Sequence, residues 1–241
     1  MKNQLDILSK INEDIIEKIA STVDHTNLKP YSTQKDLVKT CHEVLEYGFY
    51  GCCIPPWFIK EASNILQGSA EVVTVIGFPA GYTSLKAKVV ETQKALEDGA
   101  SEIDMVINVS AFKSKKYDLV AKEIATISDI VHDAGGLLKV IIETGYLSEE
   151  EIGLASRIVA ENGGDFVKTS TGFGPRGALP EDILIIRRNI PDSVKIKAAG
   201  GIRTGIQAFL FYTLGVERIG TSSGVRIIED LKKISQLSNQ I

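Results

Sequence analysis

Cysteine is scarce in this chain, and its three copies, Cys41, Cys52 and Cys53, form an odd set without metal-ligand spacing. Reduced thiols in a cytoplasm are therefore expected, and no metal site. No apolar run approaches the roughly 18 residues a membrane span needs. The opening Met1-Lys2-Asn3-Gln4-Leu5-Asp6 lacks the apolar stretch of a signal peptide. Neither sign of charge dominates: 27 Lys and Arg face 31 Asp and Glu, a formal charge of -4 that argues against a general nucleic-acid binder. There is no G-x-G-x-x-G after an early strand, so a Rossmann fold has no support. No linker or low-complexity stretch divides the chain. From these absences a soluble intracellular protein is expected.

What is present is alternation. With 44% hydrophobic and 24% charged residues in 241, the chain can build a large core of the size a (β/α)8 barrel needs. Period 3.6 predicts helices over Leu5–Ile19, from Ser32 or Thr33 to Tyr47, and over Trp57–Leu66, Leu85–Asp98 and Tyr117–Asp133. Further helices are predicted from a Ser148 cap to Glu161 and over Pro180–Arg188, Thr204–Leu214 and Ser223–Leu237. Ser148 with Glu151 three residues on fits a capping box. Between them β-rich runs predict strands at Ser21–Thr26, Tyr50–Ile54, Glu71–Ile76, Glu102–Asn108, Leu137–Glu143, Asp165–Ser170, Val194–Ala198 and Glu217–Thr221. Gly48, Gly99, Gly163 and Gly215 each stand between a helix and the next strand, where a left-handed residue turns the chain back. Eight strand-then-helix units with short returns imply a closed parallel sheet. The expected fold is α/β: one (β/α)8 TIM barrel domain over residues 1–241, with an additional N-terminal helix over 1–19 and the barrel from about 20.

Four strands carry charge where a barrel expects Val, Ile or Leu. They contain Asp104 (in Glu102-Ile103-Asp104-Met105-Val106), Lys139, Lys168, and Lys197 beside Lys195. Any one of these alone is usually a structural ion pair, but three lysines and an aspartate in consecutive strands point to a functional cluster. Lys168 and Lys197 lie on strands expected to neighbour each other at about 4.8 Å. Two ammonium groups at ~4 Å cost about 4 kcal/mol at an effective dielectric near 20, on the order of three pKa units. Desolvation adds to this, so one amine should be neutral and able to attack a carbonyl. Asp104 can hold the other as an ammonium, and Lys139 can balance Asp104.

Glycine and hydroxyl residues cluster after the last three strands. Ala199-Gly200-Gly201 follows strand seven, Gly220-Thr221-Ser222-Ser223-Gly224 follows strand eight, and Gly172 follows strand six. Each loop alone is an ordinary turn. Three adjacent ones, with a helix start behind Ser223, suit the phosphate site that barrels of this type build there.

At these residues the chain resembles the deoxyribose-phosphate aldolases, a class I, Schiff-base-forming aldolase family. The matching stretches are Val23-Asp24-His25-Thr26, Glu102-Ile103-Asp104-Met105-Val106, and Leu138-Lys139-Val140-Ile141-Ile142-Glu143-Thr144-Gly145. Two more, Phe166-Val167-Lys168-Thr169-Ser170-Thr171-Gly172-Phe173-Gly174 and Lys197-Ala198-Ala199-Gly200-Gly201-Ile202-Arg203-Thr204, carry the lysines. The resemblance implies reversible cleavage of 2-deoxy-D-ribose 5-phosphate to acetaldehyde and D-glyceraldehyde 3-phosphate, in the breakdown of deoxyribose phosphate. It implies that Lys168 forms the Schiff base, that Lys197 perturbs it and exchanges protons, and that Asp104 shuttles protons, with Lys139 beside it. Gly172, Gly200, Gly201, Ser222 and Ser223 would bind the phosphate, and Asp24, Thr26, Cys53 and Thr171 would line the substrate pocket. No metal or organic cofactor is expected. The expected partners are small phosphosugar and aldehyde substrates, with no nucleic acid and no membrane, and the expected assembly is a homodimer or homotetramer.

Two residues keep alternative readings. Cys53 either faces the barrel near Lys168 or packs as a small hydrophobe. His25 either lines the substrate mouth or is a hydrogen-bonded structural histidine. Some members of the family end in a tyrosine that reaches the site; this chain ends Leu237-Ser238-Asn239-Gln240-Ile241, which leaves a tail-assisted proton step open. Another lysine-dependent aldolase would share the barrel and its loops but use a different donor, and a non-catalytic sugar-phosphate binder would have no use for a depressed amine.

Overall fold

Eight parallel strands close into a barrel in sequence order, in a computed structural model that describes residues 10–238. They are β1 (Val23–Thr26), β2 (Gly51–Ile54), β3 (Glu71–Ile76), β4 (Glu102–Val106), β5 (Leu137–Ile141), β6 (Phe166–Lys168), β7 (Lys195–Ala199) and β8 (Arg218–Thr221), with β8 pairing back onto β1. Every strand is followed by at least one helix, the right-handed crossover that parallel pairing requires. β3 has the expected bounds and β7 is shifted by one residue, while the other six strands are shorter than the β-rich runs suggest. Asn108, Glu143 and Ser170 fall beyond the ladder, because their backbones already bend into the loops that follow.

The helix boundaries follow local chemistry. Thr33 and Ser148 both close capping boxes, with Asp36 and Glu151, and Gly48 ends the helix Gln34–Tyr47 at φ +65°. The first described helix, α1, runs Glu13–Ala20 with Asn12 accepting from Ile15 N. Residues Lys10 to Asn12 are not helical, so the expected start at Leu5 is not met there, and Leu5 and Leu8 lie outside the described residues. A side chain that caps at Asn12 competes with helix extension upstream. The stretch opening at Trp57 begins as a 3-10 turn, Pro56–Phe58, before Ile59–Leu66 continues as α-helix. A five-residue helix, Val109–Lys113, capped by Asn108, has too few turns to register as a periodic pattern.

Strand alternation sorts the molecule into two unlike interiors. Outward-facing residues such as Cys52, Val72, Ile103, Met105, Leu138, Val140, Val167, Ile196, Ala198 and Ile219 join the helices in one large apolar layer. Each such aliphatic side chain, fully buried, contributes about 1.5–3 kcal/mol. The alternate positions point into the barrel. On β2 and β3 these are Cys53, Val73 and Val75, a small separate cluster. On β4 through β8 and β1 they include the buried charges Glu102, Asp104, Lys139, Lys168, Lys197, Arg218 and Asp24. Two glycines make room among them. A Cβ on Gly220 would stand 3.0 Å from Lys197 Cε, and one on Gly51 would stand 3.2 Å from Asp24 Oδ1.

Candidate active site

The three lysines and the aspartate expected to cluster do so. Asp104 is directly beside Lys139 in the β4–β5 ladder, and Lys168 beside Lys197 in the β6–β7 ladder. Asp104 Oδ2 accepts from Lys168 Nζ and from Lys197 Nζ, each at 2.7 Å, while its Oδ1 accepts from Lys139 Nζ at 3.0 Å. Lys197 also donates to Asp24 Oδ2. Lys139 lies 2.5 Å from Glu102 Oε2 and 3.9 Å from Asp24 Oδ2. Arg218 Nη1 closes the ring, 2.8 Å from both Asp24 Oδ1 and Glu102 Oε2. Its guanidinium stacks 3.3 Å over the Tyr50 ring.

Counting this network decides its chemistry. Three carboxylates (Asp24, Glu102, Asp104) face four basic side chains (Lys139, Lys168, Lys197, Arg218), so neutrality leaves one base without a proton. A net charge held out of water is expensive, and a lysine relieves it by losing its proton. Burial pushes the Lys168 amine below the ordinary lysine value; Asp104 opposes this and the Lys197 charge adds to it. Burial would lower Lys197 too, but Asp104 and Asp24 overcome it and hold that amine above its ordinary value. Against burial, Lys139, Lys168 and Lys197 keep the Asp104 carboxyl well below the usual carboxylate range. Against the same opposition, Lys197, Arg218 and Lys139 bring Asp24 down to about 2. Lys168 is the lysine of the network whose amine is pushed down, and of the four bases it alone lines the open cavity above the network.

That cavity, of about 190 Å³, lies at the C-terminal ends of the strands. Thr26, Thr171, Gly172, Gly200, Gly201 and Ser222 line it with Lys168. Gly172, Gly200 and Gly201 have φ of +87°, +84° and +78°, conformations a side chain disfavours, and their backbones form a concave surface suited to an anion. Three expected pocket residues are absent from the lining, and the open alternative at His25 is decided. Ser223 is not part of the lining; its N–H donates to Thr221 Oγ1, which ties it into the turn. Asp24 is not in the pocket wall either, because Lys197 and Arg218 hold it in the network beneath. Cys53 is buried against Val73 and Val75, and burial raises its thiol pKa, so it packs as a small hydrophobe. His25 is structural: Nε2 lies 2.8 Å from Glu43 Oε2 and the ring packs on Phe49.

Several residues of the site carry little signal in the sequence; two are exceptions. Arg218 and Glu102 are charges in strands, the same signal that exposes Lys197, and Arg218 stands two places before Gly220 as the alternation requires. Lys29 and Arg203, which line the cavity with the glycine loops, sit in loops where a basic residue carries no signal. Glu143 follows β5 in a left-handed conformation, φ +53° and ψ +67°. It is buried, its Oε2 accepts from Thr171 N at 3.1 Å and from the Thr171 hydroxyl, and burial raises its pKa. A non-glycine residue held there costs on the order of 1–3 kcal/mol, and no local pattern announces it. Among the described residues no group of three or more His, Cys, Asp or Glu side chains is placed to hold a metal ion.

With this geometry in hand, comparison with known proteins is specific. Residues 18–216 match the model of the DeoC/LacD family aldolases. A deoxyribose-phosphate aldolase of Thermococcus gammatolerans is 50% identical over 214 residues, covering 88% of this chain and 95% of that protein. The solved structure of QR15, an aldolase, superposes with a TM-score of 0.86 at 41% identity, over 91% of this chain and 98% of that one. A deoxyribose phosphate aldolase from Aeropyrum pernix, described as having a unique tetrameric structure, gives a TM-score of 0.87 at 33% identity over 95% and 98% of the two chains.

Proposed function

The chain belongs to the DeoC/LacD family of aldolases, and from that premise we propose that it cleaves 2-deoxy-D-ribose 5-phosphate reversibly, with Lys168 as the Schiff-base lysine. The observation that carries this reading is the surplus base. Lys168 is 3% exposed, faces the cavity and shares its one carboxylate, Asp104, with two other amines. A neutral amine so placed attacks the aldehyde carbon of the open-chain sugar; loss of water gives an iminium. The C3 hydroxyl then loses its proton, the C2–C3 bond breaks, and its electron pair moves into the iminium to give an enamine and D-glyceraldehyde 3-phosphate. Protonation at the former C2 restores an iminium, and water releases acetaldehyde and regenerates the amine.

Protons for these steps pass through Lys197 and Asp104. Lys197, kept charged between two carboxylates, is the donor, and Asp104 is a relay rather than a resting place, since its pKa is too low to store a proton. The phosphate rests on Gly172, Gly200, Gly201 and Ser222, with Lys29 and Arg203 supplying charge from the same cavity walls. In this reading the chain acts as one barrel domain. The Aeropyrum relative's tetramer supports a homo-oligomer, and a metabolic aldolase family supports the cytoplasm. Among the described residues no helix is long and apolar enough to cross a membrane.

The test is borohydride reduction with acetaldehyde followed by peptide mapping. A two-carbon adduct on Lys168 is expected. An adduct on Lys197 or Lys139 would exchange the roles, and no adduct would end the Schiff-base reading.

A further inference from the structure

A second cavity, of about 470 Å³, opens beside the first and shares two walls with it, Thr171 and Phe173. Its chemistry is different. Tyr82, Tyr146 and Phe173 line it and are each more than half exposed, an unusual concentration of aromatic surface. Its one cation, Lys113, is already held by Glu151 at 2.7 and 2.8 Å. An anion therefore finds no free partner there.

Glu143 also lines this cavity. It is 2% exposed, and while Oε2 is satisfied by Thr171, Oε1 is buried without any hydrogen-bond partner. Gly174 lies against it so closely that a Cβ there would stand 2.8 Å from Oε1, so the space beside that oxygen depends on glycine. A buried carboxylate oxygen without a donor, held by a left-handed backbone, is costly unless something supplies the missing hydrogen bond. Aromatic walls around such an acceptor define a ligand: flat, uncharged and bearing a donor.

We propose that this cavity is a second ligand site, taking an uncharged planar aromatic molecule that donates an N–H or O–H hydrogen bond to Glu143 Oε1. The ligand stacks on Tyr146 and Phe173 and leaves the anion-binding loops of the neighbouring cavity free.

Indole and 1-methylindole provide the probe pair, since they share a shape and differ in the N–H. Protein-observed NMR on the full chain should show saturable indole binding, with shifts at Tyr82, Tyr146 and Phe173, and binding of 1-methylindole weaker by about tenfold or more. Glu143→Gln places an amide donor at the empty position and should abolish that difference. Tyr146→Ala, at an exposed ring that leaves Glu143 intact, should weaken both ligands together. Inorganic phosphate should not displace indole. Equal binding of the two ligands to the wild type, shifts located elsewhere, no saturable binding, or displacement by phosphate would each overturn the proposal. Acetaldehyde trapping at Lys168 is read separately and is independent of every one of these results.

Discussion

Lys88 and Lys168 are both lysines taken out of water, at 0% and 3% exposure, and burial lowers the pKa of each. Their surroundings part them. Lys88, on the helix Leu85–Glu97 outside the barrel, donates to Val106 O at 2.6 Å and is the one lysine paired with Glu123, at 2.7 Å, among the described residues. Charges there balance one to one, and Lys88 lines neither cavity. Lys168 divides a single carboxylate with Lys139 and Lys197 and opens onto a cavity. Burial alone does not make an amine reactive. A shortage of carboxylates and a way in for the substrate do.

The sharpest way to break this contrast is to remove each lysine. Lys168→Leu should lower turnover of deoxyribose 5-phosphate by several orders of magnitude, with little loss of stability because the surplus base is gone. Lys88→Leu should do the reverse. It strands Glu123 in the apolar layer and should cost about 3–5 kcal/mol in urea unfolding, while the folded fraction keeps its kcat. Adding Glu123→Leu should recover most of that loss. If Lys88→Leu abolishes turnover of folded protein, the distinction between the two lysines fails.

Lys197→Leu sharpens the comparison from within the network. It removes a positive neighbour and lets Asp104 hold Lys168 more tightly, so the Lys168 pKa should rise by about one to three units. The pH midpoint of borohydride trapping should move in the alkaline direction by that amount. An unmoved midpoint would confine Lys197 to proton transfer or packing.

Acid should reveal a smaller difference. Asp24 is held at about 2, below its unfolded value of roughly 3.9. Its stabilisation, on the order of 2 kcal/mol, is present above about pH 4 and disappears as the pH falls towards 2. Glu123 has the opposite sign, since burial raises its pKa and protonation relieves it. Unfolding measured between pH 5 and 2 should therefore be less acid-sensitive in Asp24→Asn than in the wild type, and no less so in Glu123→Gln.

What could be read from the chain tracks what acts locally. Helix caps at Thr33 and Ser148, period-two alternation and charges inside apolar runs are short-range signals, and they locate the barrel, Lys168, Lys197 and Asp104. Pairings across the lumen are not local. That Asp24 on β1 meets Lys197 on β7 and Arg218 on β8 depends on barrel closure, so Asp24 reads as a pocket residue until the sheet is closed. Ser223 shows the same limit at short range, because two adjacent serines look alike and only the turn at Thr221 decides which one faces the cavity.

Gly51 and Gly220, which leave space beside Asp24 and Lys197, constrain the paths open to this barrel over evolutionary time. An ordinary aliphatic lumen is not reachable by single substitutions. Replacing a charged member other than Lys168 strands another, and filling either glycine gap first crowds a side chain still in place. Several changes must arrive together before the new interior is as stable as the old. The lumen is thus an isolated peak in sequence space, and it can persist in a chain even after selection for its chemistry has ended.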